Sequence, residues 1–309
     1  MNNREIFAKT LFENIYNKLI NAEKIQSAYG ENEVRNIAYL LIEHFAGANR
    51  TDVVINRQKS IPVEKITDLD AAIRRVCNHE PIQYVTGEAF FYGRKFLVNS
   101  DVLIPRRETE ELVQFIIHEN QGRRNIKILD VGTGSGCIAI TLKKEIEGTS
   151  VSAIDVSEAA LKVAAANAQL HQAVIHFCQA DICASDFFMR NEQNKLYHFD
   201  IIVSNPPYVR KSEAKSMHKN VVEYEPHLAL FVTDKDPLMY YKAIISLIQE
   251  SVNSSLGILK EGGGIFFEVN ENLAEEVAVL LEENNFKKVR IIQDLQQKNR
   301  FVSGRLKVT

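Results

Sequence analysis

From Glu108 onward the chain alternates short runs rich in β-branched residues with stretches of helical periodicity, and this alternation constrains the fold more than any other feature. The strand-like segments are NIKILDV, VSAIDV, AVIHFCQAD, FDIIVSN, GGIFFEV, KKVRIIQDL and FVSGRL. Parallel neighbours need long crossover connections, which are usually helices, so the pattern predicts an α/β architecture. A doubly wound, mostly parallel seven-stranded sheet is expected, with helices on both faces, one of them long and centred on residues 237–256. Only QQKN joins the last two segments, too little for a crossover, so these should form an antiparallel hairpin.

The first 80 or so residues follow a different rule. Phe7, Leu11, Ile15 and Leu19 recur at helical spacing, as do Val34, Ile37, Ala38, Leu41 and Phe45, with Gly47 as a stop. Ile66, Leu69, Ile73 and Val76 make a third stripe between Pro62 and Cys77. Residues 1–81 are therefore expected to form a small helical domain, a bundle packing its own core. Residues 82–104, in which aromatic and β-branched residues alternate around Gly87 and Gly93, read as a β-hairpin linker, and 105–309 as the sheet domain.

A chain of 309 residues with 45% hydrophobic content can bury the cores of two such domains. Its 37 basic and 40 acidic side chains leave a formal charge of −3, without the basic excess typical of proteins that live on a phosphate backbone, so no stable nucleic-acid binding is expected. The N-terminal run alternates charged and apolar residues and lacks the apolar core of a signal peptide. No stretch approaches the roughly 20 apolar residues of a membrane span. Cys77, Cys137, Cys178 and Cys183 show neither CxxC spacing nor nearby histidine pairs, so they read as reduced thiols in a cytoplasmic protein, with no metal site.

Two segments carry chemistry. In ILDVGTGSG a strand runs directly into Gly132, Gly134 and Gly136, and a turn without Cβ atoms lets a ligand approach backbone. The GxGxG spacing departs from the GxGxxG of dinucleotide enzymes. Asp155, 19 residues beyond Gly136 at the end of the next strand, can accept hydrogen bonds from both hydroxyls of a ribose, or can instead cap the following helix in competition with Ser157. Asp181 after the third strand is a further candidate for holding an adenine. The second segment is Asn205, Pro206, Pro207 and Tyr208, after FDIIVS. Consecutive prolines end the strand and stiffen the loop. Asn205 offers a side-chain carbonyl and Pro206 a backbone carbonyl, which together can hold the two hydrogens of a planar NH2 group while Tyr208 lies against its face.

The Asn205–Tyr208 tetrad and the glycine turn resemble the S-adenosylmethionine-dependent methyltransferases that act on exocyclic or amide nitrogen. HEPIQYVTGEAFFYG at 79–93, VLIPRRETEELV at 102–113 and EPHLALF at 225–231 narrow the resemblance to the HemK-like peptide chain release factor glutamine N5-methyltransferases, over nearly the whole chain. The resemblance implies a class I methyltransferase fold, Rossmann-like, behind a helical docking domain. It implies S-adenosyl-L-methionine held by Gly132, Thr133, Gly134, Ser135, Gly136, Asp155, Asp181, Ile182 and Asn205. Substrate would be held by Asn205, Pro206, Pro207 and Tyr208, with Asn205, Pro206 and Tyr208 catalytic and Arg106, Thr109 and Glu110 beside the cofactor pocket. The implied partner is a class 1 release factor, methylated on the glutamine of its GGQ loop, with an effect on translation termination.

Three positions depart from the family pattern: Arg107 stands for a usual proline, Asn270 for a usual glycine, and Ile182 for an aromatic found in some members. Two other readings share parts of the pattern. A nucleic-acid base methyltransferase would use the same tetrad on a flipped base, and a nucleoside-binding regulator would need no tetrad at all.

Overall fold

The computed structural model describes residues 5–55, 59–184, 198–253 and 258–307. Contacts divide the chain into two compact units, one of Met1–Glu88 with Met217–Tyr224 and one of Ala89–Ser216 with Glu225–Thr309. In the first, β1 (Glu5–Phe7) leads into α1 (Ala8–Ile20), α2 (Glu23–Ala28), α3 (Glu31–Ala46) and α4 (Arg50–Val54). β2 (Ser60–Pro62) then pairs antiparallel with β1, and α5 (Leu69–Cys77) and α6 (Ile82–Thr86) follow. Leu11, Ile15 and Leu19 of α1, the apolar face of α3 and Leu69, Ile73 and Val76 of α5 are buried in one cluster.

Three local expectations are corrected. Phe7 is not on the α1 stripe; it closes β1 and is 53% exposed. The stretch from Pro62 to Cys77 is divided into a 3₁₀ turn, Val63–Ile66, and α5, because Thr67 and Asp68 interrupt it with residues whose side chains compete for helical backbone groups. Residues 82–86 are helical, not extended. Pro81 presets the backbone before the first turn, and the guanidinium of Arg75 donates to the carbonyls of Tyr84 and Val85, which a helix of this length cannot satisfy internally.

The hairpin of β3 (Glu88–Phe91) and β4 (Arg94–Leu97) follows, and from Ala89 onward it belongs to the second unit. Its two-residue turn has Tyr92 at φ 49° and Gly93 at φ 71°, the combination that matches the natural strand twist. A non-glycine residue is held there by Glu110, whose carboxylate accepts the Tyr92 N–H at 2.8 Å. The chain continues through α7 (Arg107–Glu119), β5 (Lys127–Val131), α8 (Cys137–Glu145), β6 (Ser150–Asp155), α9 (Glu158–Leu170), β7 (Ile175–Gln179), β8 (Phe199–Ser204) and the short β9 (Val209–Arg210). After α10 (Lys219–Tyr224), which belongs with the first unit, come α11 (His227–Leu230), β10 (Phe231–Val232), α12 (Met239–Asn253), β11 (Leu259–Glu268), α13 (Ala274–Glu283), β12 (Phe286–Gln293) and β13 (Asn299–Leu306). The last residues of the helix expected up to 256 lie outside the described residues.

The expected seven-stranded sheet has the order β12-β13-β11-β8-β5-β6-β7, with β13 antiparallel to both neighbours and the other described ladders parallel. Alternate residues of the central strands feed two cores: Leu129, Val131 and Ile202 pack with α12 and α13, while Ile128, Ile201 and Val203 pack with α7 and α8. The chain steps outward from β5 to β6 and β7 and then returns to the other side of β5 as β8. A crevice therefore opens beyond the carboxyl ends of β5 and β8, where strand order reverses. Among the described residues no helix is long and apolar enough to cross a membrane.

Asn167 of α9 fastens the hairpin to this crevice. Its side chain is fully buried, accepts the Leu97 N–H at 2.6 Å, and donates to the carbonyls of Leu97 and Ser135 at 2.9 Å each. Asn167→Ala leaves these groups unpaired inside the fold and should lower stability by about 2–4 kcal/mol in urea unfolding, without changing the helical content of the folded state.

Candidate active site

Strand register puts the candidate residues in one row. Val131 pairs with Ile154 on one side and Ser204 on the other, and Ser204 pairs with Phe267 of β11. The next residues in each strand direction, Asp155, Gly132, Asn205 and Glu268, thus lie side by side at the carboxyl edge.

Gly132, Gly134 and Gly136 adopt φ of 74°, 53° and 80°, a left-handed backbone that L side chains rarely take. The space where Cβ atoms of Gly132 and Gly134 would stand is open, which leaves bare backbone for a ligand. Gly136 differs, because a Cβ there would stand 3.1 Å from Ile140 and 3.2 Å from Ala164; its smallness lets α8 and α9 approach. Ser157, not Asp155, caps α9, its hydroxyl accepting the Ala160 N–H. The Asp155 carboxylate instead accepts from the N–H groups of Gly134 and Ser157, both at 2.9 Å, and so braces the glycine turn. These bonds leave further lone pairs on the two oxygens.

Beneath the turn, Asp130 is fully buried and accepts from the Thr133 hydroxyl at 2.7 Å. Burial pushes its pKa up to about 7, against the opposing pull of Thr133 and the Ala139 N–H.

The loop after β8 is anchored on Glu268. The Asn205 Nδ2 donates to Thr109 Oγ1 at 3.2 Å, the Thr109 hydroxyl donates to Glu268 Oε2 at 2.6 Å, and the Tyr208 hydroxyl donates to Glu268 Oε1 at 3.1 Å. Tyr241 adds a hydroxyl to the Glu268 backbone carbonyl at 3.0 Å. Glu268 is 1% exposed, and burial raises its pKa while the two hydroxyls and the Arg300 charge oppose the rise. Burial, with the Glu268 charge adding to it, pushes the Tyr208 phenol upward, so Tyr208 serves as a donor. A second buried carboxylate, Glu225, receives Arg106 at 2.5 Å and the Ile104 N–H at 3.2 Å, which fixes the segment ahead of α7.

A cavity of about 430 Å³ lies over this row. Gly132, Thr133, Gly134 and Ser135 form one wall, Asp155, Asp181 and Ile182 a second, and Asn205, Pro206 and Pro207 a third. Arg106 and Thr109 also face it. Gly136 and Tyr208 are not part of the lining. The Tyr208 hydroxyl is committed to Glu268, which ties the end of the loop to β11. Glu110 likewise is occupied with the hairpin turn.

The departures are absorbed locally. Arg107 is the first residue of α7, where proline's missing N–H would have cost nothing. Asn270 takes no positive φ, and its Oδ1 accepts the Asn272 N–H. Ile182 packs against the core beneath the cavity.

The sequence reading missed Glu268 and Glu225. The available signal was a carboxylate beside an apolar run, GIFFEV and EPHLALF, since a buried acid demands partners from elsewhere.

Residues 108–229 match the family model described as methyltransferase small domain, and residues 19–87 match the PrmC N-terminal domain. A release factor glutamine methyltransferase from Flavobacterium psychrophilum is 41% identical over 283 residues, 91% of this chain and 94% of that protein. The chain belongs to the release factor glutamine methyltransferase family. Another member, from Bacteroides thetaiotaomicron, is 38% identical over 91% of this chain and 96% of its own length. A solved release factor-specific protein-(glutamine-N5) methyltransferase from Alicyclobacillus acidocaldarius is 28% identical, matching 69% of this chain and 100% of that one with a TM-score of 0.39. The two family models thus cover most of the helical segment and the first part of the sheet domain, through β8.

Because the folded-state pKa of Asp130 lies near 7 and its ordinary value is 3.8, the folded chain keeps a proton that the unfolded chain releases. The stability contributed is complete below the unfolded value and is lost as pH rises through the folded one. Asp130→Asn should therefore be progressively less destabilising, relative to wild type, as pH rises from about 4 to 7 in denaturant titrations. A pH-independent difference would remove the assigned protonation.

Proposed function

We propose that this chain transfers the methyl group of S-adenosyl-L-methionine to the side-chain amide nitrogen, N5, of the glutamine in the GGQ loop of class 1 peptide chain release factors, and so modulates translation termination. The observation that carries this reading is the orientation of Asn205. Its NH2 is engaged by Thr109, so Oδ1 is left as an acceptor on a residue that faces the cavity.

The residues present suit the cofactor. Open space over Gly132 and Gly134 admits a ligand to the backbone, Asp155 has acceptor capacity for ribose hydroxyls, and Asp181 and Ile182 face the cavity where an adenine would be held. When bound, S-adenosyl-L-methionine supplies an electrophilic methyl group. The protein's own task is the nucleophile. An amide nitrogen is weakly nucleophilic because its lone pair is delocalised into the carbonyl. Asn205 Oδ1 and the Pro206 carbonyl accept the two amide hydrogens, aim the nitrogen, and favour the positive charge that grows on it. Positioning of this kind can be worth roughly 7–11 kcal/mol, against about 3–4 for one well-placed polar group, so orientation is the larger share. The two prolines suit that task, since they remove both the freedom and the N–H donors of the loop. A translation factor as substrate places the reaction in the cytoplasm.

A base methyltransferase would share the tetrad, but the names carried by the relatives and the balanced charge favour the protein substrate. Labelled cofactor should pass methyl to a purified release factor, not to a loop variant with alanine in place of the glutamine, and not to duplex DNA. Asn205→Ala should lower kcat by about 10²–10³-fold while leaving cofactor affinity within a few-fold. Turnover close to wild type would discard Asn205 as the acceptor.

A further inference from the structure

We propose that Thr109 and Glu268 are positioning residues that fix the hydrogen-bonding polarity of Asn205, so that the site reads an amide and refuses a carboxylate. The inference rests on the proposed function and deepens it, by naming what selects glutamine.

An asparagine amide is nearly symmetric in shape, and its oxygen and nitrogen exchange places unless neighbours dictate otherwise. Here the dictation runs through a chain of single protons. Both oxygens of Glu268 accept, one from the Thr109 hydroxyl and the other from the Tyr208 hydroxyl. Thr109 has one hydroxyl hydrogen and gives it to Glu268 Oε2 at 2.6 Å. What remains on Thr109 Oγ1 is lone pairs, so Asn205 must turn its NH2 toward it, and does so at 3.2 Å. The amide oxygen is then left for the cavity. An accepting group two residues removed from the substrate thus decides that the site presents an acceptor. Thr109 is 3% exposed and Glu268 1%, so water does not compete with either bond.

Tyr208, three residues beyond Asn205, gives its hydroxyl to the other oxygen of the same carboxylate at 3.1 Å. The stiff segment between them is consequently tied to one carboxylate, directly at Tyr208 and through Thr109 at Asn205. Tyr241 holds the backbone of that group, and the pairing of Phe267 with Ser204 sets its height in the sheet.

If the polarity were lost, Asn205 could rotate and offer NH2 to the substrate. That site would repel the hydrogens of glutamine and welcome the oxygens of glutamate. A merely structural network would lose stability without exchanging this preference. The test compares wild type, Thr109→Val, which keeps shape without the hydroxyl, Thr109→Ser, which keeps the hydroxyl, and Glu268→Gln. Each is titrated with release factor carrying either glutamine or glutamate in the loop, in the presence of S-adenosylhomocysteine, and methyl transfer to the glutamine form is measured separately.

Wild type should prefer the glutamine form. Thr109→Val should shrink that preference by about tenfold or more and lower kcat by a similar factor; Thr109→Ser should restore most of both, and Glu268→Gln should move them in the same direction as Thr109→Val. A Thr109→Val enzyme that retains the wild-type preference overturns the proposal, as does a preference that Thr109→Ser does not restore. If wild type itself transfers no methyl to the factor, the proposed function falls and the inference with it. Transfer by wild type with an unchanged preference in the variants removes this inference alone.

Discussion

The lateral hydrogen bonding of four parallel strands is the constraint on which the site depends. Parallel ladders keep a regular register, so residues at equal height on β6, β5, β8 and β11 end together. Asp155, Gly132, Asn205 and Glu268 come from positions spread over more than a hundred residues, yet each is simply the next residue along its strand. Once the sheet forms, no further folding is needed to assemble them. The reversal of strand order between β5 and β8 supplies the missing cover, because crossover helices leave on opposite faces and the strand ends between them stay open.

Three buried acids flank that opening. Asp130, Glu225 and Glu268 are each 3% exposed or less, and each is met by partners from a different element. Thr133 serves Asp130, Arg106 and the Ile104 N–H serve Glu225, and Thr109 and Tyr208 serve Glu268. Burying an acid is costly, and the donors that offset that cost are hard to rearrange. The cavity wall inherits the rigidity.

How much of this was legible before the structure depends on the range of the interactions. Strand–helix alternation, the antiparallel hairpin after QQKN and the glycine turn are written in neighbouring residues, and the sheet order and φ values agree with them. The helix at 82–86 was not legible, because Arg75 completes it from another helix. Nor was the orientation of Tyr208, which depends on an acid 60 residues away. Asp155 shows the middle case. Its place at a strand end could be read, while its choice between capping a helix and bracing the glycine turn was settled only by the nearby Ser157 and Gly134.

The paired prolines after Asn205 have one more consequence. Because neither carries an N–H, this wall offers no backbone donor at those two positions. A ligand group that can only accept hydrogen bonds therefore finds no backbone partner at those two positions.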